Sequence, residues 1–329
     1  MKKNSDDLSG FVSDRTSGAV EDRSGRRAMP YVALITVQAC FGSLPVIGKT
    51  VLTVIPAFAL VGFRVVITAL ILFVVQRFRG GLALADRGDY LRLAVLSLFG
   101  VTLNQMFFVG GLSLTKAANA SLLAATIPIF TIMAGWFAGT ELIRFRTVAG
   151  IVLAAVGVLI LIDPRNASFS AESTVGDLLI ICNSLFYGIY VATSKNTVMR
   201  NGALRSITWI FIFASAICGP VGLWSFASVP SGSISPGIAL SILYIAVVAT
   251  AAPYLFNAWA LARVSPSIVA VFIYLQPVIG FILAVIFLRE HLGAGFFAAV
   301  SFIFGGVYMT LSVKRASDQV KHILPDSVQ

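Results

Sequence analysis

Apolar stretches long enough to span, or nearly span, a membrane follow one another along most of this chain. A hydrocarbon core about 30 Å thick needs about 20 apolar residues in a helix. Ten such stretches lie at 30–49, 57–76, 91–111, 117–138, 147–162, 177–195, 206–226, 237–260, 267–288 and 294–313. Hydrophobic residues make up 58% of the chain and charged residues 12%, so it cannot present an ordinary water-facing surface. The sequence therefore predicts an integral membrane protein.

The predicted spans should be helices. In lipid, backbone polar groups must be paired within the protein, so a spanning segment is either a helix or part of a closed barrel. These runs lack the alternation of apolar and polar residues that barrel strands show. The predicted fold class is an all-α integral membrane protein with ten transmembrane helices. We expect disordered residues at 1–29 and a second tail at 314–329.

The chain repeats a pattern of residues with the same spacing in each half. Spacings of 13 and then 16 residues separate Pro128, Glu141 and Gly157, and again Pro277, Glu290 and Gly306. The predicted repeats cover 30–163 and 174–313. Each contains five helices, an odd number, so the second repeat enters the bilayer from the opposite side. The halves are therefore predicted to be inverted, about a pseudo-two-fold axis in the membrane plane.

The basic residues predict the orientation, because cytoplasmic loops retain Lys and Arg. With the N-terminus inside, 19 basic residues fall on the inner side and only four on the outer side. Both termini are predicted to be cytoplasmic, in a bacterial inner (plasma) membrane. This distribution accounts for the net charge of +10, so no nucleic-acid partner is expected. Membrane lipid is an expected partner.

Polar side chains within the spans are candidates for substrate contact, because a group that is costly in hydrocarbon is expected to face the bundle interior. Asn183, Tyr187 and Tyr190 share one face of the sixth helix, and Tyr187 is equivalent to Phe41 in the first. The predicted substrate-binding residues are Gln38, Phe41, Arg64, Asn104, Gln105, Asn183, Tyr187, Tyr190, Asn257, Tyr274 and Gln276. The alternative is that these groups only form interhelical hydrogen bonds, worth about 0.6 kcal/mol each.

Arg64 is the only charge deep within a predicted span. It would either bind an anionic group such as a carboxylate, or snorkel or pair with helix carbonyls as part of the scaffold. The acidic residues all map to tails, loops or helix ends. Glu141 and Glu290 are predicted to receive backbone N–H groups at the turns leading into the fifth and tenth helices.

Two segments resemble a known family. They run from Ala117 through Pro128 to Glu141, and from Ser265-Pro266-Ser267 through Tyr274-Leu275-Gln276-Pro277 to Arg289-Glu290. They are similar to the two copies of the EamA-like repeat of the drug/metabolite transporter superfamily, over roughly residues 30–313. The resemblance implies ten spans, cytoplasmic termini and inverted five-helix halves.

The expected function is a secondary transporter, an exporter or exchanger, that works by alternating access. Without a buried acid, its expected substrates are small neutral, zwitterionic or weakly anionic metabolites such as amino acids. The alternatives are a channel or lipid scramblase, or a proton-coupled drug exporter. No catalytic constellation, metal site or phosphate-binding loop is evident, so neither an enzyme nor a cofactor is expected. A homodimer, formed through small residues of the fifth and tenth helices, is the second explanation after packing within the chain.

Overall fold

The computed structural model describes residues 28–44, 47–115, 120, 123–142, 144–162, 171–230, 232–279, 282 and 294–323. These residues form helices and turns, with no strand among them. Their helices, which we number α1 to α10 in chain order, are Ala28–Leu52, Ala57–Arg79, Gly88–Leu114, Ile127–Phe137, Phe145–Ile162, Ala171–Asn201, Ala203–Phe226, Pro236–Leu261, Pro266–Ile279 and Ala294–Ile323. The all-helical prediction is confirmed.

Six of these helices are long and apolar enough to cross a membrane: α1, α2, α3, α6, α7 and α8. The other four contain shorter apolar segments, at Ile127–Phe137, Phe145–Ile160, Pro266–Ile279 and Phe297–Ser312. Each of the ten helices coincides with one stretch predicted from hydropathy. The number of crossings, ten, stays a prediction.

Local sequence explains several of the helix ends. Pro236 occupies the first turn of α8, and the Ser235 hydroxyl accepts the backbone N–H of Ile238 at 3.3 Å. The last turn of α2 carries Arg77 and Arg79, which complement the negative end of the helix dipole. These signals fix where the apolar segments stop and the polar connections begin.

Two of the described helices contain a π-helical turn. It spans Leu98–Leu103 in α3 and Val247–Ala251 in α8. The two turns begin 149 residues apart, which is also the separation of Pro128 and Pro277. A π turn takes an extra residue into the helix and disturbs the regular hydrogen-bond ladder, and such turns often occur at functional sites.

Helices α5 and α10 pack closely through small residues. A Cβ atom added at Gly150 would lie 2.7 Å from the carbonyl oxygen of Gly306, and one at Gly157 would lie 2.7 Å from that of Ala299. In the repeat, Gly150 corresponds to Ala299 and Gly157 to Gly306. The contact is therefore reciprocal, as at a two-fold interface. These small residues pack within the chain, which was the preferred expectation for them.

Two lysine hydrogen bonds also recur at equivalent positions. Lys49 Nζ donates to the carbonyl oxygen of Thr115 at 2.8 Å, and Lys195 Nζ donates to that of Val264 at 2.8 Å. The first bond joins the ends of α1 and α3, and the second joins the ends of α6 and α8. The two lysines belong to the Gly42–Lys49 and Gly188–Lys195 spacing of 7 residues that the halves share.

Helix α3 runs antiparallel to α6 and is fastened to it at both ends. At one end Asp89 is buried and accepts hydrogen bonds from Arg200 and Asn201. At the other end the Thr115 hydroxyl donates to Asp177 Oδ1 at 2.7 Å. Polar groups at the two ends therefore hold the pair together and leave its middle to face the interior of the bundle.

Candidate substrate cavity

A cavity of about 80 Å³ lies between helices of both halves. Residues of α1, α2, α3, α4, α6, α8 and α9 line it. One buried water molecule needs about 10–15 Å³ of cavity volume, so the cavity has room for about five to eight waters or for a small metabolite. Its walls combine apolar side chains, among them Leu44, Phe108 and Ile273, with several amides and hydroxyls.

Nine of the predicted substrate-binding residues line this one cavity. They are Gln38, Phe41, Arg64, Asn104, Gln105, Asn183, Tyr187, Asn257 and Gln276. Seven of them are buried from solvent, and Phe41 and Gln276 are partly buried. The structure thus brings together side chains from distant parts of the chain, and their binding of a substrate stays a prediction.

The other two predicted residues, Tyr190 and Tyr274, lie outside the cavity lining. Tyr190 continues the face of Asn183 and Tyr187, but its ring packs onto Gly100 in the π turn of α3. A side chain at position 100 would occupy the space that this ring fills. Tyr274 is completely buried, and its hydroxyl has no hydrogen-bond partner among the described residues.

Tyr254 is a cavity residue that the sequence analysis missed. Gln105 Nε2 donates to its hydroxyl oxygen at 3.0 Å, and the hydroxyl lies 2.9 Å from the carbonyl oxygen of Gly100 and 3.0 Å from Asn104 Oδ1. The single hydroxyl proton serves one of these two acceptors at a time. The repeat contained the signal, since Gln105 and Tyr254 are 149 residues apart and therefore equivalent.

Two further hydrogen bonds link helices across the cavity. Asn257 Nδ2 donates to the Tyr187 hydroxyl, and Gln276 Nε2 donates to Gln38 Oε1, each at 2.8 Å. The amides thus form interhelical hydrogen bonds and also line the cavity, and their contact with a substrate stays a prediction. The first bond joins α8 to α6, and the second joins α9 to α1.

Arg64 is fully buried in the cavity wall. Its Nε donates to Thr250 Oγ1 at 2.9 Å and its Nη2 to the carbonyl oxygen of Ala249 at 3.1 Å. Both acceptors belong to the π turn of α8. Pairing with helix carbonyls was one of the two interpretations of this arginine, and it is observed. Its Nη1 has no hydrogen-bond partner among the described residues.

Glu141 lies at one end of the bundle and contacts a distant helix. One carboxylate oxygen accepts the backbone N–H of Ser267 at 3.2 Å, and the other accepts the Ser267 hydroxyl. The Ser265 side chain does not cap α9, so Glu141 supplies the negative group at that helix start. The sequence predicted a role at the turn into α5, and the partner is instead α9. Glu290 lies outside the described residues.

The EamA-like transporter family profile matches residues 28–163 and 174–312, which together make up most of the chain. The chain belongs to this family. The resemblance seen in the sequence is confirmed. The expectation of a transporter rather than an enzyme is confirmed as well, because the family is one of transporters and several curated relatives of this EamA-like protein are named as transporters. Its several apolar helices and its family together identify it as an integral membrane protein.

Relatives occur in bacteria, archaea and plants. An uncharacterized transporter of Archaeoglobus fulgidus is 27% identical over 77% of this chain and 87% of its own length. The uncharacterized transporter YetK of Bacillus subtilis is 25% identical over 88% of each chain. The WAT1-related protein At4g16620 of Arabidopsis thaliana is 25% identical over 69% of this chain and 71% of its own length.

A solved crystal structure has a similar fold. It superposes on the EamA-like protein with a TM-score of 0.73 and 19% sequence identity, covering 87% of this chain and 98% of that one. At this level of identity the likeness concerns the fold alone.

Proposed function

We propose that this protein is a secondary transporter, an exporter or exchanger, that moves small metabolites by alternating access. Its substrates are neutral, zwitterionic or weakly anionic molecules such as amino acids. The observation that carries this proposal is the central cavity. Amides, hydroxyls and one arginine line it together with apolar side chains, and its lining among the described residues includes no carboxylate. Such a mixed wall suits a small polar ligand.

The proposed architecture has ten membrane spans in two inverted halves of five helices. Several features support it: the equivalent lysine hydrogen bonds, the equivalent π turns and the reciprocal contact of α5 with α10. Two halves with the same local structure can exchange their roles, which gives two conformations of similar energy that face opposite compartments.

The contact of Glu141 with Ser267 suggests how one end closes. It joins the α4–α5 turn to the start of α9, so it belongs to the conformation in which that end is shut. With both termini in the cytoplasm of a bacterium, this end is cytoplasmic.

Purified protein in liposomes tests the proposal. A carrier gives saturable uptake of a labelled metabolite, and unlabelled substrate inside the vesicles accelerates that uptake by counterflow. A channel gives flux that does not saturate and is not accelerated in this way. Movement of labelled phospholipid between leaflets would indicate a scramblase, and uptake of cationic drugs driven by a proton gradient would indicate a drug exporter. Any of these three results would replace the proposed function.

A further inference from the structure

One charged atom beside the cavity lacks a partner. Arg64 is fully buried and two of its three guanidinium nitrogens are hydrogen-bonded, but Nη1 is not, within the described part of the chain. A charge inside a membrane protein is expensive and is usually paired with another charge or faces a polar cavity. Arg64 lines the central cavity, so the cavity is where its remaining partner would lie.

The π turn of α8 holds this guanidinium with neutral atoms only. Thr250 Oγ1 accepts the Nε proton and donates its own proton to the carbonyl oxygen of Ile245 at 2.7 Å. The carbonyl oxygen of Ala249 accepts a proton from Nη2. The positive charge is therefore fixed in position before a ligand arrives, and the protein does not neutralise it at these contacts. Such preorganisation reduces the loss of conformational entropy on binding.

The acidic side chains with described contacts are engaged elsewhere. Asp89 binds Arg200 and Asn201 at one end of α3, and Asp177 accepts a hydrogen bond at the other end. Glu141 binds the start of α9. Among the described residues that line the cavity, Arg64 alone carries a formal charge. The described wall of the cavity therefore carries a charge of +1.

We infer that Arg64 forms an anion subsite and that the preferred substrates are monocarboxylates with a net charge of −1. This inference rests on the proposed function and narrows its substrate class. A carboxylate oxygen at Nη1 would form a charge-assisted hydrogen bond and neutralise the buried charge. The amides of Gln38, Gln276 and Asn257 would then contact the uncharged part of the substrate.

The charge of the cavity wall predicts lower affinity for substrates of other charge types than for monocarboxylates. A zwitterion also brings a carboxylate, but its ammonium group meets only neutral acceptors, such as the amide oxygens of Gln38 and Gln276. A neutral amide of the same shape loses the attraction of the charge. A cation is repelled by Arg64. The expected order of affinity is monocarboxylate, zwitterion, neutral amide and then cation.

Binding to the purified full-length protein tests this order. The probes are propionate, lactate, benzoate and phenylacetate, each compared with its primary amide, and alanine compared with alaninamide. A hydrogen bond to a charged group contributes enough for about a 10- to 100-fold difference in Kd, so the best acid of the panel should bind at least about tenfold more tightly than its amide. Thermal-shift titration or equilibrium dialysis measures both affinities.

Three variants assign the preference to the arginine. Arg64→Gln should remove the preference for the acid over its amide. Arg64→Lys should keep part of it, because an ammonium group keeps the charge but not the guanidinium geometry. Thr68→Val is the matched control: Thr68 lies one turn further along α2, donates to the carbonyl oxygen of Ala246 at 2.9 Å and does not line the cavity. It should leave the acid preference unchanged.

The inference is overturned if no acid of the panel binds more tightly than its amide, or if Arg64→Gln keeps the preference. If Arg64→Gln does not fold, the comparison of Arg64→Lys with wild-type protein decides, since an unchanged preference in the lysine variant contradicts a guanidinium subsite. The proposed function fails separately. Acid binding without saturable transport would contradict the proposed transporter and support the anion subsite. Saturable transport of amides or zwitterions, without a preference for acids, would support the transporter and contradict the subsite.

Discussion

Replacing Gly100 with alanine should disturb the cavity wall by a predictable amount. Gly100 lies in the π turn of α3, and a Cβ atom there would lie 2.4 Å from Cδ2 and 2.6 Å from Cγ of Tyr190. These atoms belong to the body of a ring that is almost completely buried, so the ring cannot simply swing away. The substitution must shift α3 away from α6 or force Tyr190 out of its preferred rotamer.

Overpacking of this kind costs about 1–3 kcal/mol. In chains of about 150–250 residues each kcal/mol lowers the Tm by about 2–4 °C, and this is an upper bound for a chain of 329 residues, whose entropy of unfolding is larger. The expected decrease in Tm is therefore at most about 12 °C. It is measured on purified protein at a fixed heating rate, because many large proteins unfold irreversibly. Substrate affinity should fall as well, since the carbonyl oxygen of Gly100 lies 2.9 Å from the Tyr254 hydroxyl in the cavity wall.

The chain offers a matched control on the same helix. A Cβ atom at Gly110 would meet only Leu179 Cδ1, at 3.8 Å, which is ordinary van der Waals contact. Gly110→Ala should therefore leave the Tm close to that of the wild-type protein. Combining Gly100→Ala with Tyr190→Leu should destabilise by less than the sum of the two single changes, because the smaller side chain makes room for the methyl group. Equal effects of Gly100→Ala and Gly110→Ala, or strict additivity with Tyr190→Leu, would refute the reasoning.

Two further predictions concern the helix contacts outside the cavity. Gly306→Ala should lower the Tm or the yield of folded protein, because its Cβ atom would lie 2.3 Å from the carbonyl oxygen of Gly150. Gly305→Ala is the control, since the nearest contact of its Cβ atom would be at 3.4 Å, and it should have little effect in the same thermal-shift assay. Glu141→Gln should weaken the contact with Ser267 by about 1–2 kcal/mol and so favour opening at that end by about 5- to 30-fold. Cysteines placed at that end should then react faster with a thiol reagent. Unchanged labelling would contradict a closing role of this contact.

The helices and most of the cavity could be predicted from the sequence. Hydropathy locates each helix because lipid demands long apolar segments with internally satisfied backbones. The same demand makes polar side chains rare in the spans, so a polar residue there marks the interior. This argument brought Gln38, Asn104 and Asn257, from three different helices, to one cavity.

The remaining features depend on contacts that are distant in the sequence. Tyr190 shares a helical face with Tyr187, but the absence of a side chain at Gly100 lets its ring bury against α3. Glu141 binds Ser267, 126 residues further along the chain, and no local pattern identifies that partner. The π turns likewise need tertiary packing. Tyr254 could have been predicted as a cavity residue, because it occupies the position in the second repeat that is equivalent to the polar Gln105 in the first.

The central claim is that two inverted halves rock about one cavity. The most direct measurement places the starts of α1 and α6 relative to the membrane, because these helices are equivalent in the repeat. Single cysteines are introduced at Met29 and Ala171 after the native cysteines have been replaced, and intact cells are treated with a membrane-impermeant thiol reagent. We expect the cysteine at 171 to react and the cysteine at 29 to react only after the cells are opened. Reaction of both positions from the same side would contradict the inverted arrangement.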